Sequence, residues 1–362
     1  MIFEGYTLPS PLCHSRESGN PWSTVAAKSD IVLRGAVRPW IPAFAGMTIS
    51  FDMAGLDRAA LVAFAQESIA RGSKSFRFAS RLFDRMTRER VWLLYAWCRK
   101  CDDMADGQDH GGAMEEVTDP MARLAVIQEL TAKALAGEPT GEPAFDCLGV
   151  VARECGLTKK MADDVIEGFA LDAADWHPRR ESDLYRYCYH VAGAVGVMMA
   201  VVMGVSPDDD ATLDRACDLG LAFQLANIAR DISEDDEAGR CYLPDDWLAT
   251  LDIGPGEHMR PHNRKKLALM GRWLSDEAEQ YEASARVGAA ALPLRARWAV
   301  LSAAGIYGEI ARKVRSAGEH AWDQRIYTSR PEKFRWVRKA FVDAVANNPR
   351  DMDRYGLWTR PC

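Results

Sequence analysis

From Asp57 to the neighbourhood of Gly318, apolar residues return at intervals of three and four almost without interruption. That period belongs to helices with one buried face, and alternation of period two between hairpin turns is absent. LDRAALVAFAQESIARGS spaces Leu56, Ala60, Ala63/Phe64 and Glu67 in this way. TRERVWLLYAWCRKCDDMAD predicts a helix with Thr87 as its N-cap. MARLAVIQELTAKALAG predicts another, closed by Gly137. TKKMADDVIEGFALDAADW, DLYRYCYHVAGAVGVMMAVVMG, DRACDLGLAFQLANIARDISEDD, HNRKKLALMGRWLSDEAEQYEASARV and ARWAVLSAAGIYGEIARKVRSAG complete the series. GQDHGGAMEEVTDP is polar and Gly-rich, hence a loop. The expected fold is all-α, a single domain of helices joined mostly by short connections.

One segment, VAGAVGVMMAVVMGV, carries no charge from Val191 to Val205. A membrane span needs about 20 apolar residues, so this one is read as a buried central helix. Gly193 and Gly196 each cost that helix about 1 kcal/mol relative to Ala, which close packing against another helix would offset.

Composition excludes several classes. The 362 residues carry a net charge of −7, and no dense Lys/Arg block suggests a nucleic-acid partner. Nine scattered cysteines fit reduced thiols in a cytoplasmic protein better than a disulfide framework. Cys98 and Cys101 form a C-x-x-C pair inside a predicted helix, with no second pair or His cluster to complete a zinc site.

Two acidic clusters demand explanation. The apolar run VWLLYAW leads into CRKCDDMAD, where Arg99, Asp102 (or Asp103) and Asp106 share a helix face. In LAFQLANIARDISEDD, Gln224, Asn227, Asp231 and Asp235 form one polar stripe on an otherwise apolar helix. Such a helix is largely enclosed, so its stripe faces an internal, wet cavity. Buried carboxylates repel one another unless cations intervene. Carboxylates with an Asn oxygen are hard ligands suited to Mg²⁺ or Mn²⁺, and Mg²⁺ favours one or two carboxylates plus phosphate oxygens. Arg99, Lys100, Arg230 and Arg240 would meet a polyanion. A D-D-x-x-D run alone is more often a solvated helix end. Two, each ending an apolar helix beside an arginine, describe a diphosphate site.

From about Gly72 onward the chain resembles the squalene/phytoene synthases, the head-to-head branch of the trans-isoprenyl diphosphate synthases. GSKSFRFASRLF, LYAWCRKCDDMAD, YCYHVAGAVG, LAFQLANIARDISEDD and GRCYLP carry the resemblance, with IYGEIARKV and AWDQRIYTS adding weaker support. LYAWCRKCDD, YCYHVAG and the terminal YGLWTRP are most similar to the bacterial phytoene synthases within it. The resemblance implies an isoprenoid synthase bundle around a central hydrophobic cavity, with two aspartate-rich motifs facing each other across it. It places Mg²⁺ (or Mn²⁺) on Asp102, Asp103 and Asp106 and on Asn227, Asp231 and Asp235. Arg99, Arg230 and Tyr242 match positions near the diphosphate, and Arg325 matches less closely. Ser73 and Ser75 would close over it. Tyr187, Val191, Gly196 and Gln224 would line the tunnel and reaction centre, and Phe76 and Tyr187 would stabilise carbocations.

The implied reaction joins two geranylgeranyl diphosphates through cyclopropyl prephytoene diphosphate to phytoene, with no NADPH. A presqualene- or squalene-type reaction on C15 farnesyl diphosphate is the alternative, and family members that have lost catalysis carry eroded aspartate motifs. Gly72 stands where some relatives carry His, and Asp236 extends the second motif as a solvated helix end. Lipid substrates imply peripheral contact with the inner face of the cell membrane, with no spanning segment. The first fifty residues lack both helical and strand periodicity and any secretory h-region. CHSRESGNP and IPAFAGMT resemble translated dispersed bacterial repeat elements. Residues 1–52 are therefore read as a disordered or non-native extension, with translation starting at Met47 or Met53 in the second case, and 53–362 as the catalytic domain.

Overall fold

The computed structural model describes residues 57–72, 79–106, 119–174, 176–349 and 352–361, with Asp106 described by its backbone alone. All regular structure among them is helical. Helices α1 (Arg58–Gly72), α2 (Arg85–Asp106), α3 (Pro120–Ala136) and α4 (Pro143–Cys155) pack on one another at one end of the chain. Next come α5 (Lys159–Ala173), α6 (Glu181–Cys188), a π-turn (Tyr189–Gly193), α7 (Ala194–Val202) and the long α8 (Asp210–Glu237). A short α9 (Asp245–Thr250) leads to α10 (Arg264–Gly288), α11 (Leu294–Ala317) and α12 (Arg330–Ala346). α8 packs along α10, α11 and α7, whereas α2 packs on α1 and α4 and reaches α7 at its edge. The two acid-bearing helices, α2 and α8, thus share α7 as a neighbour.

Local chemistry sets the boundaries. Asp119 and Thr158 accept the Ala122 and Met161 backbone N–H groups and start α3 and α5. Gly137 ends α3 at φ 79°. α2 begins earlier than the sequence suggested. Asp84 accepts the Thr87 N–H at 3.0 Å, and Arg88 N bonds Asp84 O, so Asp84 is the N-cap and Thr87 lies within the first turn.

One apolar core runs from Leu61 to Trp322, with Trp97, Tyr95, Tyr189, Tyr281 and Phe145 fully buried. Each such side chain is worth roughly 1.5–3 kcal/mol of transfer free energy. The Trp97 indole donates to Thr131 Oγ1 at 3.2 Å and ties α2 to α3. α7 is buried as predicted. It does not continue α6 regularly: Ala194 N bonds Tyr189 O, an i→i+5 turn that periodicity could not foresee. This turn lies against α8, where a Cβ on Gly220 would stand 2.4 Å from Ala192 O and 2.6 Å from Gly193 Cα. A Cβ on Gly196 would meet Ala216 O at 2.6 Å. Close helix crossing accounts for these glycines.

Residues 352–361 strap back over the same region. Arg354 forks onto the fully buried Asp218 with two bonds of 2.8 Å, Arg360 donates to Asp214 at 2.9 Å, and the Trp358 ring meets Tyr189 at 5.6 Å. Among the described residues no helix is long and apolar enough to cross a membrane.

Candidate active site

Both α2 and α8 end in carboxylates with no basic residue in the last turn. A helix C-terminus is already the negative end of the macrodipole, so acids there are disfavoured by roughly 0.3–1 kcal/mol each unless cations answer them. In each case an arginine does. Arg99, buried, donates to Asp102 Oδ2 at 3.2 Å and to Asp103 Oδ1 at 2.6 Å. Burial pulls the Arg99 guanidinium pKa down, but the Asp102 and Asp103 charges outweigh it and hold the pKa above its ordinary value.

On α8, Asn227, Asp231 and Asp235 are all buried, and Gln224 is half-buried a turn earlier. Arg230 forks onto Asp231, Nε to Oδ1 at 2.7 Å with a second bond from its terminal nitrogen. Arg325 lies 2.8 Å from Asp231 Oδ1 and donates to Glu234 Oε1 at 2.9 Å. Its approach is fixed three residues earlier, where the Trp322 indole donates to Ala229 O at 3.0 Å. Asp231 therefore sits between two guanidinium groups. Past Asp235, Gly239 takes φ 74° and Arg240 N bonds Asp235 O at 2.8 Å, a six-to-one closure that turns the GRCYLP segment back. Asp236 is not simply a solvated helix end. It approaches the buried His258 Nε2 at 3.3 Å, a partner 22 residues away that no local pattern announces.

Tyr242 is thereby brought onto Tyr187, ring centroids 4.9 Å apart, and Trp176 stacks on Tyr187 at 5.4 Å. Tyr187 is therefore held in an aromatic cluster with Trp176 and Tyr242. The Tyr187 hydroxyl donates to Asp172 Oδ1 at 3.0 Å. Burial, with Asp172 next, pushes the Tyr187 phenol well above its ordinary pKa and Tyr242 up to about 12. Both stay neutral near pH 7 and are poorly suited as bases.

Val191 packs toward α5, its Cγ1 within 3.1 Å of where a Gly168 Cβ would stand. Ser73, Ser75 and Phe76 lie outside the described residues, as does the Asp106 side chain. At Gly72 a Cβ would meet the buried Tyr95 hydroxyl at 2.3 Å, so a side chain there requires Tyr95 to move. Cys98 and Cys101 are buried, and burial pushes both thiols up, as inert packing residues require. Sequence pattern gave no role to Trp176 or to Tyr307, whose ring meets Phe223 at 4.4 Å and whose phenol burial pushes up against the opposing pull of Arg230. IYGEIARKV contained the second of these, but a single Tyr in an apolar helix carries no signal of its own.

Asn227 decides whether this donor set suits a hard cation. Both its amide oxygen and its nitrogen are buried without a hydrogen-bond partner. An unsatisfied buried amide costs roughly 1–3 kcal/mol, and an oxygen ligand in need of a cation accounts for it. Among the described residues no three His, Cys, Asp or Glu side chains could hold a metal unaided.

The family model for squalene/phytoene synthase matches residues 69–332. The chain is 46% identical over 313 residues to the 15-cis-phytoene synthase of Pantoea ananas, covering 84% of this chain and all of that one. It is 45% identical over 303 residues to the 15-cis-phytoene synthase of a Paracoccus strain, covering 83% and 98%. A dehydrosqualene synthase solved with a ligand superposes with a TM-score of 0.70 at 25% identity, over 80% of this chain and 98% of that one. A squalene synthase from Alicyclobacillus acidocaldarius, at 22% identity and TM-score 0.64 over 74% and 97%, shares the fold. With two arginine-compensated acid clusters on an all-α frame, the chain belongs to the squalene/phytoene synthase family, which acts on isoprenyl diphosphates.

Proposed function

We propose that this protein condenses two molecules of geranylgeranyl diphosphate, through prephytoene diphosphate, to phytoene. The observation that carries the reading is the 46% identity to a 15-cis-phytoene synthase across that enzyme's whole length. The site supports it.

Asp102, Asp103 and Asp106 on one helix and Asn227, Asp231 and Asp235 on the other would hold Mg²⁺ or Mn²⁺. The bound cation supplies positive charge that favours departure of diphosphate. Arg230 and Arg325, which neutralise Asp231 in this state, are placed to transfer their donors to diphosphate oxygens once a metal satisfies that carboxylate. Arg99 can do the same at the first cluster. In the first half-reaction the allylic C–O bond of one donor breaks, its electron pair leaving with diphosphate. The C2–C3 alkene of the second donor then supplies the new bond, and a proton leaves as the cyclopropane closes. The second half-reaction ionises prephytoene diphosphate, rearranges the cation and releases another proton, so no external reductant is consumed.

The neutral phenols of Tyr187 and Tyr242 act as oriented dipoles. The aromatic rings of Tyr187 and Phe76 can stabilise a passing cation by up to about 2 kcal/mol each. The hydrophobic tunnel that the family resemblance implies would exclude water that would quench it. With Tyr187 and Tyr242 held protonated, departing diphosphate is the better acceptor for the protons. We assign catalysis to residues 53–362, which a chain beginning at Met53 tests. Peripheral contact with a lipid surface belongs to the same reading.

The test is to incubate the purified protein with Mg²⁺ and either C20 or C15 diphosphate, and to identify the hydrocarbon by chromatography and mass spectrometry. Phytoene from the C20 substrate supports the reading. A C30 hydrocarbon formed preferentially from the C15 substrate replaces it with a dehydrosqualene- or squalene-type reaction.

A further inference from the structure

The outer face of α12 is apolar where a surface helix is normally polar. Phe334, Val342, Val345 and Phe341 are 71%, 62%, 58% and 45% exposed. At 3.6 residues per turn the four fall within about 100° of arc, one continuous stripe along the helix. The opposite face holds α12 in place. Ala340 and Ala344 are buried, and Trp336 sits over Gly305 of α11 and donates its indole N–H to Glu309 at 3.0 Å. α12 packs chiefly on α11, and the exposure of the four side chains leaves the stripe open.

Charge names the occupant. The helix carries Arg330, Lys333, Arg335, Arg338 and Lys339 against only Glu332 and Asp343, in a chain whose net charge is −7. Arg330, Arg335 and Arg338 are exposed with the apolar stripe. A second copy docking through the same face would set these arginines against one another. An anionic lipid surface meets both properties, taking the Phe and Val side chains at the acyl boundary and the arginines among phosphate headgroups.

We propose that α12 is the element through which this protein lies on anionic membranes, with Phe334, Phe341, Val342 and Val345 entering the interface and Arg335 and Arg338 pairing with lipid phosphates. The proposal rests on the surface of α12, independently of which isoprenyl diphosphate the protein uses.

Flotation of the full chain with vesicles of phosphatidylcholine alone, or mixed with phosphatidylglycerol, tests it. Binding is expected only to the mixed vesicles and should weaken as salt rises. Phe334→Ser with Val342→Ser and Val345→Ser should weaken it by about tenfold or more, from the apolar area withdrawn. Arg335→Glu with Arg338→Glu should abolish the preference for phosphatidylglycerol. Product formation from substrate in detergent micelles, read alongside, should persist in both variants and separates loss of docking from failure of the assigned reaction. Equal binding to both vesicle types, or undiminished binding by the folded triple variant, overturns the proposal. So does a wild-type dimer that ignores vesicles and becomes monomeric in the triple variant.

Discussion

Replacing Gly220 by Ala tests whether the crossing of α8 with the π-turn is as tight as its geometry requires. Helix propensity favours Ala over Gly by about 1 kcal/mol, so on local grounds the substitution should stabilise the protein. Packing opposes this. The new methyl would stand 2.4 Å from Ala192 O, 2.6 Å from Ala192 C and 2.6 Å from Gly193 Cα. All three atoms are backbone, so no side-chain rotation relieves the overlap, and the helices must separate. Overpacking of this kind costs about 1–3 kcal/mol, and with three backbone contacts the upper end applies. The net loss is about 2 kcal/mol, which lowers Tm by about 3 °C in a chain of this size. Gly196→Ala, with only Ala216 O closer than 3 Å, should lose less. Thermal unfolding followed by circular dichroism reads both. A Tm for Gly220→Ala equal to or above that of the parent would refute the reasoning.

Other outcomes follow from single groups. Asn227→Leu removes an unsatisfied buried amide, so in EDTA it should unfold at least as hot as the parent. Mg²⁺ with inorganic diphosphate should then raise the Tm of the parent and leave the variant unmoved. Tyr242 is held up to about 12 in the fold against 10.0 for the free phenol. Its contribution to stability is therefore intact below pH 10 and lost as the pH rises toward 12, and Tyr242→Phe should flatten that part of the denaturation-midpoint profile. Glu332 is held at about 2, by Lys313 first and then Ser329, against 4.5 for the free acid. Stability from this contact is present above pH 4.5 and lost as the pH falls toward 2, a slope that Glu332→Gln should remove.

Helical periodicity made the frame legible, because a buried face recurring every three or four residues leaves a trace in one dimension. The stripe of Asn227, Asp231 and Asp235 was legible for the same reason. Contacts between distant segments were not. Nothing near Asp236 announces His258, and nothing in DAADWHP announces that Trp176 will cap one face of Tyr187. The π-turn was hidden because one inserted residue hardly disturbs an apolar run that is buried on all sides. α12 was missed for the opposite reason. Its inner face is built from Ala340, Ala344 and one Trp, while its larger apolar residues point outward, so the usual inward stripe is absent.

The central claim is that carboxylates at the ends of α2 and α8 act together on one diphosphate. Its most direct test is product formation from geranylgeranyl diphosphate by the parent, Asp102→Ala and Asp231→Ala, with Mg²⁺ or with EDTA, alongside the far-ultraviolet helical signal of each. The account predicts phytoene from the parent with Mg²⁺ alone, none from either variant, and unchanged helicity throughout. Normal turnover by either folded variant, or by the parent in EDTA, would contradict it.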